Sequence, residues 1–267
     1  AYFRVDVPSN TPNWKISLST NTGDSLLVLQ RGIIPNVGAA SSVPTSLNGG
    51  RVVKKAGDEF YRLLPDANQS NILAGTYYLA VVSEGVGPTS TRAGTNTSSA
   101  TLVSAGAISH FALGTLTPSA DLTQPGSLRG GDLQTYLFNV AAGVLSMQLR
   151  LTNRVGNPKM TLRRGPLTPY PTDTYGNDGG TTYEWQDAAF IDIPNPTTGL
   201  YTLTVQAASS SGYPDATFTL LIQASGSSPM VFNNGVLNVT NHPSGTWKYF
   251  YVTVPPNAGG WDLRITN

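Results

Sequence analysis

The residues best placed to do chemistry lie in one stretch of the second half, Thr172-Asp173-Thr174-Tyr175-Gly176-Asn177-Asp178-Gly179-Gly180, followed by Glu184. Side-chain oxygens in a glycine-rich loop suit a hard cation, so Asp173, Asn177, Asp178 and Glu184 form a candidate calcium set. Counting Asp173 as loop position one places Glu184 at position twelve (173 + 11 = 184), the bidentate position of an EF-hand. Position three is Tyr175, however, and position six is Asp178 where the EF-hand turn takes glycine. The competing reading is a turn-rich connector. Ser41 to Gly50, the corresponding stretch of the first half, has no acidic residue, so a calcium site here would belong to the second half alone. Tyr170, Tyr175 and Tyr183 cluster in the same region. Exposed tyrosine rings stack on sugar rings or on protein polymers, which makes these three the candidate ligand-binding residues. The competing reading packs them over their own loop.

Catalytic arrangements are not found. The two histidines, His110 and His242, occupy non-equivalent positions, and His242 sits in an Asn-His-Pro turn. There is no Gly-x-Ser-x-Gly elbow, phosphate-binding P-loop or His-Glu-x-x-His pattern in the sequence. Asp58 and Glu59 are adjacent, so on a strand their carboxyl groups point to opposite faces and do not form a catalytic pair. The chain therefore reads as non-enzymatic, with calcium its one candidate cofactor.

Composition narrows the class further. The 267 residues include 28 glycines and 19 prolines, and only 12% are charged. That profile predicts many short strands joined by turns. Without cysteine there is no thiolate chemistry and no cysteine zinc site. A net charge of +1 leaves no basic footprint for nucleic acid. No apolar run approaches the ~18 residues of a membrane helix, so membrane insertion is not expected. The first residue is Ala1 rather than Met, which reads as a processed or trimmed chain.

The elements that position these residues come from an internal repeat. Phe3-Arg4-Val5-Asp6-Val7 aligns with Tyr136-Leu137-Phe138-Asn139-Val140 at a shift of 133 (136 − 3). Without a gap, the same shift carries Trp14, Ile16 and Leu18 onto Met147, Leu149 and Leu151. A third copy opens at Phe250-Tyr251-Val252-Thr253-Val254, at a shift of 114 from Tyr136. Its Trp261, Leu263 and Ile265 fall on the same three positions. Apolar residues alternate in every copy, as in a strand with one buried face; Ser17, Ser19, Arg150 and Thr152 take the other face. Later in each copy, Gly75-Thr76-Tyr77-Tyr78-Leu79-Ala80-Val81 matches Gly199-Leu200-Tyr201-Thr202-Leu203-Thr204-Val205 at a shift of 124. Closing strands are expected near His110 to Leu116 and Thr217 to Ile222, with a long surface loop at Gly85 to Ser99.

The expected fold is all-β, built as tandem antiparallel β-sandwich modules. Module one spans 1–117, a Pro-containing linker 118–126, and module two 127–224. Residues 225–267 form a second linker and the opening strands of an incomplete module three.

These modules resemble the bacterial pre-peptidase C-terminal domain. The resemblance rests on the aromatic opening strand ending in Val-Pro, in Gly245 to Pro255 and Phe3 to Pro8. It rests also on Gly23-Asp24 before Leu26-Leu27-Val28-Leu29, on Gly156 to Leu162, and on Gly75-Thr76-Tyr77-Tyr78-Leu79. It implies a jelly-roll-like sandwich of a secreted protein, commonly behind a peptidase, with calcium and insoluble polymers such as collagen among the ligands of some relatives. After Gly23-Asp24 this chain reads Ser25-Leu26-Leu27, without the second acidic residue common in the family.

Two functions follow as expectations. The first is a structural or adhesive repeat segment of an extracellular or cell-surface protein, assembling by strand addition with neighbouring modules or copies of itself. The alternative is a targeting module that holds a secreted peptidase or glycosidase on an insoluble polysaccharide or protein polymer.

Overall fold

The computed structural model describes residues 1–35, 51–89, 93–171, 176–207, 214–244 and 246–266. Its regular elements are all strands, as the composition and alternation predict. The first repeat supplies β1 (Tyr2–Val7), β2 (Trp14–Thr22), β3 (Asp24–Arg31), β4 (Arg51–Val53), β5 (Glu59–Leu63), β6 (Gly75–Gly85) and β7 (Ser99–Gly106). Next come β8 (His110–Leu116), β9 (Leu122–Leu128), β10 (Leu133–Val140), β11 (Ser146–Val155), β12 (Lys159–Arg164) and β13 (Asn177–Asp178). The series ends with β14 (Trp185–Asp187), β15 (Phe190–Pro194), β16 (Gly199–Gln206), β17 (Ala216–Ser225), β18 (Ser227–Met230) and β19 (Tyr249–Val252).

Sheet topology repeats with the sequence. The first repeat has the orders β1-β6-β3-β4 and β5-β2-β7; the second has β10-β16-β12-β14 and β15-β11-β17. Each of these strands matches its counterpart in order, and every pairing among them is antiparallel. Three further strands are additions at sheet edges: β8 beside β10, β9 beside β17, and β13 beside β5.

The core follows the alternation in the first two repeats, whereas Trp261, Leu263 and Ile265 of the third copy are exposed and lie outside any strand, which corrects the expected second opening strand there. Trp14, Ile16, Leu18, Tyr77 and Leu79 are buried in one cluster. Met147, Leu149, Leu151, Tyr201, Leu203 and Val205 are buried in a second. Burying each such side chain contributes roughly 1.5–3 kcal/mol. The tyrosines have equivalent anchors, since Tyr77 and Tyr201 donate their hydroxyls to the carbonyls of Leu73 and Thr197, at 2.9 and 3.0 Å. Tyr77 meets the ring of Trp14 edge-on at 5.2 Å, while Tyr201 stacks on Phe138 at 5.5 Å.

Two expectations about the middle of the chain are corrected. His110–Leu116 does not close the first repeat. It runs parallel to β10 in the second repeat's sheet, and β7 pairs with β2 in the closing position. The expected linker, 118–126, is largely strand, because β9 pairs antiparallel with β17. Pro125 is tolerated there because β9 lies at the sheet edge, where a missing N–H leaves no partner unpaired.

Candidate functional site

The outer face of β2 and β5 carries an unusual pair. Lys15 and Arg62 are directly opposite each other in the antiparallel register. Like charges so placed repel and need partners. Both partners come from the second repeat. The Lys15 Nζ lies 2.8 and 2.9 Å from the two carboxylate oxygens of Asp132, just ahead of β10. The Arg62 side chain is completely buried; its Nε donates to Asn177 Oδ1 at 2.8 Å, and its Nη2 to the Gly131 carbonyl. The Phe60 ring sits 5.4 Å from the Lys15 Nζ and completes a cation–π contact. Beside this pair, Leu64, Ile108 and Leu133 form a small apolar cluster of their own.

The loop that carries Asn177 clasps the first repeat by its backbone. β13 lies parallel to β5, pairing Asn177 with Arg62 and Asp178 with Leu63. The Arg62 and Leu64 amides donate to the Gly176 and Asp178 carbonyls at 2.6 and 2.8 Å, and the Gly180 amide donates to the Pro65 carbonyl at 3.0 Å. Gly176 and Gly179 make this approach feasible. Their φ angles are +60° and +74°, and a Cβ on either would collide with the carbonyl oxygen of Phe60 or Leu64.

An equivalent contact occurs one repeat later. Lys15 corresponds to Gln148 (15 + 133). Arg62 corresponds to Asp192 (62 + 130), because Gln148 and Asp192 are opposite each other on β11 and β15 just as Lys15 and Arg62 are on β2 and β5. Gln148 Nε2 donates to the Trp247 carbonyl at 3.2 Å, and the Tyr249 hydroxyl donates to Asp192 Oδ2. Burial, and then the bond to the Asp192 carboxylate, push the Tyr249 phenol up to about 12. In both places the outer face of one repeat receives the segment that leads into the next opening strand: Gly131 and Asp132 before Thr135 of β10, Trp247 before Tyr249 of β19. Side-chain chemistry differs between the two junctions, with an ion pair at the first and a phenol–carboxylate hydrogen bond at the second.

A second group of charges lies inside the first repeat. Glu59 is buried, and burial, reinforced by the nearby Asp24 and Glu84 carboxylates, pushes its carboxyl up to about 9. The Lys55 amide donates to Glu59 Oε1 at 3.3 Å, and Lys54 Nζ lies 2.8 Å from Glu84 Oε1. Burial also raises Asp24 and Glu84 and lowers the Lys55 ammonium. This arrangement makes the first repeat's stability depend on pH.

The residues singled out in the sequence are dispersed. Asp173 and Tyr175 lie outside the described residues. Asn177 is held by Arg62, Asp178 lies 3.8 Å from Arg51, and Glu184 Oε2 lies 2.7 Å from Arg164 Nε. The three described members of the calcium set are thus each taken up by an arginine. Among the described residues, no group of three or more Asp, Glu, His or Cys side chains is arranged to hold a metal ion. Tyr170 and Tyr183 are half-buried; the Tyr170 amide donates to the Thr181 carbonyl at 2.5 Å, and the Tyr183 hydroxyl accepts from Gln186 at 2.6 Å. His110 Nε2 sits 3.3 Å from Thr168 Oγ1, and His242 Nδ1 sits 3.0 Å from Thr246 Oγ1.

Sequence reasoning missed Lys15, Arg62, Asp132, Gln148 and Asp192. The available signal was Lys15 falling on Gln148 at the repeat shift, on the face read as solvated.

No protein-family model and no curated protein matches the chain. Among solved structures it is similar to Aeromonas hydrophila PliG, a periplasmic inhibitor of g-type lysozyme, at 15% identity and a TM-score of 0.30, over 43% of this chain and 98% of that one. Salmonella Typhimurium PliG gives 14% identity and a TM-score of 0.26, over 42% and 97%. The CUB1-EGF-CUB2 region of human MASP-1/3 gives 9% identity and a TM-score of 0.24, over 84% and 99%. At these scores the likenesses carry no inference about function.

Proposed function

We propose that this chain is a non-catalytic repeat segment of a secreted or cell-surface protein, whose jelly-roll-like β-sandwich modules assemble by strand addition into stalks or filaments. The resemblance to the pre-peptidase C-terminal domain enters this reading for the module fold alone. One observation carries the proposal: the outer faces at Lys15/Arg62 and at Gln148/Asp192 each receive the lead-in to the following repeat. A contact made at equivalent positions twice along one chain is the element of a one-dimensional array, in which each unit is stabilised by its nearest neighbours. Strand pairing between repeats already occurs inside the chain, where β13 of the second repeat lies parallel to β5 of the first.

The test sets assembly against polymer targeting. Concentrated protein is viewed by negative-stain electron microscopy, and its retention on insoluble collagen and polysaccharide is measured in parallel. Ordered fibres with no saturable retention support assembly. Saturable retention that is lost on substituting Tyr170 and Tyr183, without fibres, would replace this reading with that of a targeting module.

A further inference from the structure

The first repeat buries a group of charges that the second repeat is built without. Asp24, Glu59 and Glu84 are all buried. At the repeat shifts their counterparts are Asn157 (24 + 133), Ala189 (59 + 130) and Ala208 (84 + 124). Val53 is opposite Leu27 as Asp187 is opposite Met160, so Lys54, the next residue, corresponds to Ala188. The second repeat reaches the same strand order without these charges, so the fold does not require them. Burying charges is costly even when they are paired. Their presence therefore points to a use other than packing.

Lys54 and Glu84 are the two members in direct contact. Lys54 follows the edge strand β4 and Glu84 lies near the end of β6, with β3 between those strands. The Lys54 Nζ is 2.8 Å from Glu84 Oε1. The contact is an ion pair without a hydrogen bond: both Glu84 oxygens are buried and neither has a hydrogen-bond partner. Lys54 Nζ also donates to the Thr89 carbonyl at 2.9 Å, which fixes it over the carboxyl group. Asp24 interacts electrostatically with both Lys54 and Glu84.

We propose that Lys54 and Glu84 condense into an intramolecular amide bond once the first repeat has folded. The Lys54 Nζ attacks the Glu84 Cδ. The Nζ–Cδ bond forms, one Cδ–O bond breaks, and the ammonium and carboxylate together lose one water. Two of the three ammonium protons end on the departing oxygen, one of them by way of Asp24. Nothing is oxidised or reduced. Burial raises the Glu84 and Asp24 carboxyls, which favours these proton transfers. Reactants held in contact and in line react as if at about 10⁵–10⁸ M. Exclusion of bulk water from Glu84 opposes the reverse hydrolysis. The bond ties β4 to β6 across β3, and in a chain without cysteine it takes the place of a disulfide. This staple is separate from the assembly reading and stands or falls without it.

Intact mass spectrometry of the full chain under denaturing conditions tests the proposal. The protein is expected to be lighter than its sequence mass by one water. Lys54→Arg and Glu84→Ala should each have the full sequence mass, and digestion of the unsubstituted protein should release a branched peptide joining Lys54 to Glu84. These readouts do not require the variants to fold. The full sequence mass in the unsubstituted protein would overturn the proposal. So would loss of water that persists in Lys54→Arg, since the water would then come from elsewhere in the chain.

Discussion

Lys15 and Arg62 lie directly opposite each other on neighbouring strands, two cations on one outer face, and each is matched by a group from the following repeat. Asp132, Gly131 and Asn177 supply acceptors to these two adjacent cations and help to cover Arg62. The first repeat's outer face is thus complementary to its neighbour.

Arg62→Ala removes the donors to Asn177 and Gly131 and opens a void. A cost of about 2–5 kcal/mol is expected, from two acceptors left without a donor at about 1–3 kcal/mol each and from the void. Arg62→Lys should recover less than half of it, since an ammonium cannot span both acceptors as the planar guanidinium does. Chemical denaturation followed through the Trp14 environment reads this directly.

Lys15→Met and Asp132→Asn, singly and together, measure the ion pair. The pair is partly exposed, so its coupling energy should be about 0.5–2 kcal/mol. Asp132 Oδ1 also accepts the Leu133 amide at 2.8 Å, and asparagine retains an acceptor there. A coupling of zero in the double-mutant cycle would show that the pair contributes nothing to the junction.

Gly176→Ala and Gly179→Ala place a methyl group against a β5-side carbonyl at positive φ. Each should cost about 2 kcal/mol or more, confined to the clasp. The expected readout is faster hydrogen exchange at the Arg62 and Leu64 amides, with the second core unaffected.

Glu59 sets the pH response. Its carboxyl is raised to about 9 in the folded protein against an ordinary 4.5, so the folded state holds a proton that the unfolded state has released between those values. Stability from this group is full below about pH 4.5 and falls as pH rises towards 9, with a slope of at most about 1.4 kcal/mol per unit. Glu59→Gln keeps the shape without the charge. It should stabilise the protein at pH 8 and lose most of that advantage at pH 4.5, as measured by thermal unfolding at both pH values.

Tyr249→Phe removes the hydroxyl that binds Asp192. The segment around β19 should then be cut faster by protease, with the thermal transition of the two cores unchanged. Asp192→Asn should act in the same direction and more weakly, since an amide oxygen still accepts.

Much of the fold was legible because period-two alternation does not depend on what a strand pairs with. Trp14, Ile16 and Leu18, and their counterparts Met147, Leu149 and Leu151, mark the core faces correctly. The same independence explains the error at β8. His110–Leu116 has a strand's composition, and composition does not say which sheet receives it. β7 gives no strand signal because Ser99–Gly106 is rich in small and polar residues, and β9 reads as a linker because Pro125 resembles a linker residue until its edge position is known. The junction was hidden for a related reason. Lys15 and Arg62 occupy the polar face of the alternation, and a polar face covered by a neighbour has the same pattern as one covered by water. The glycine-rich loop reads in the sequence as a candidate calcium loop or a turn-rich connector; in the structure its Gly176 and Gly179 serve a close backbone approach to the β5 side.

The central claim is that these repeats form an open, head-to-tail array. Sedimentation velocity over a wide range of protein concentrations tests it most directly. The account predicts a concentration-dependent series extending beyond the dimer. A single species of monomer mass at every concentration would contradict it.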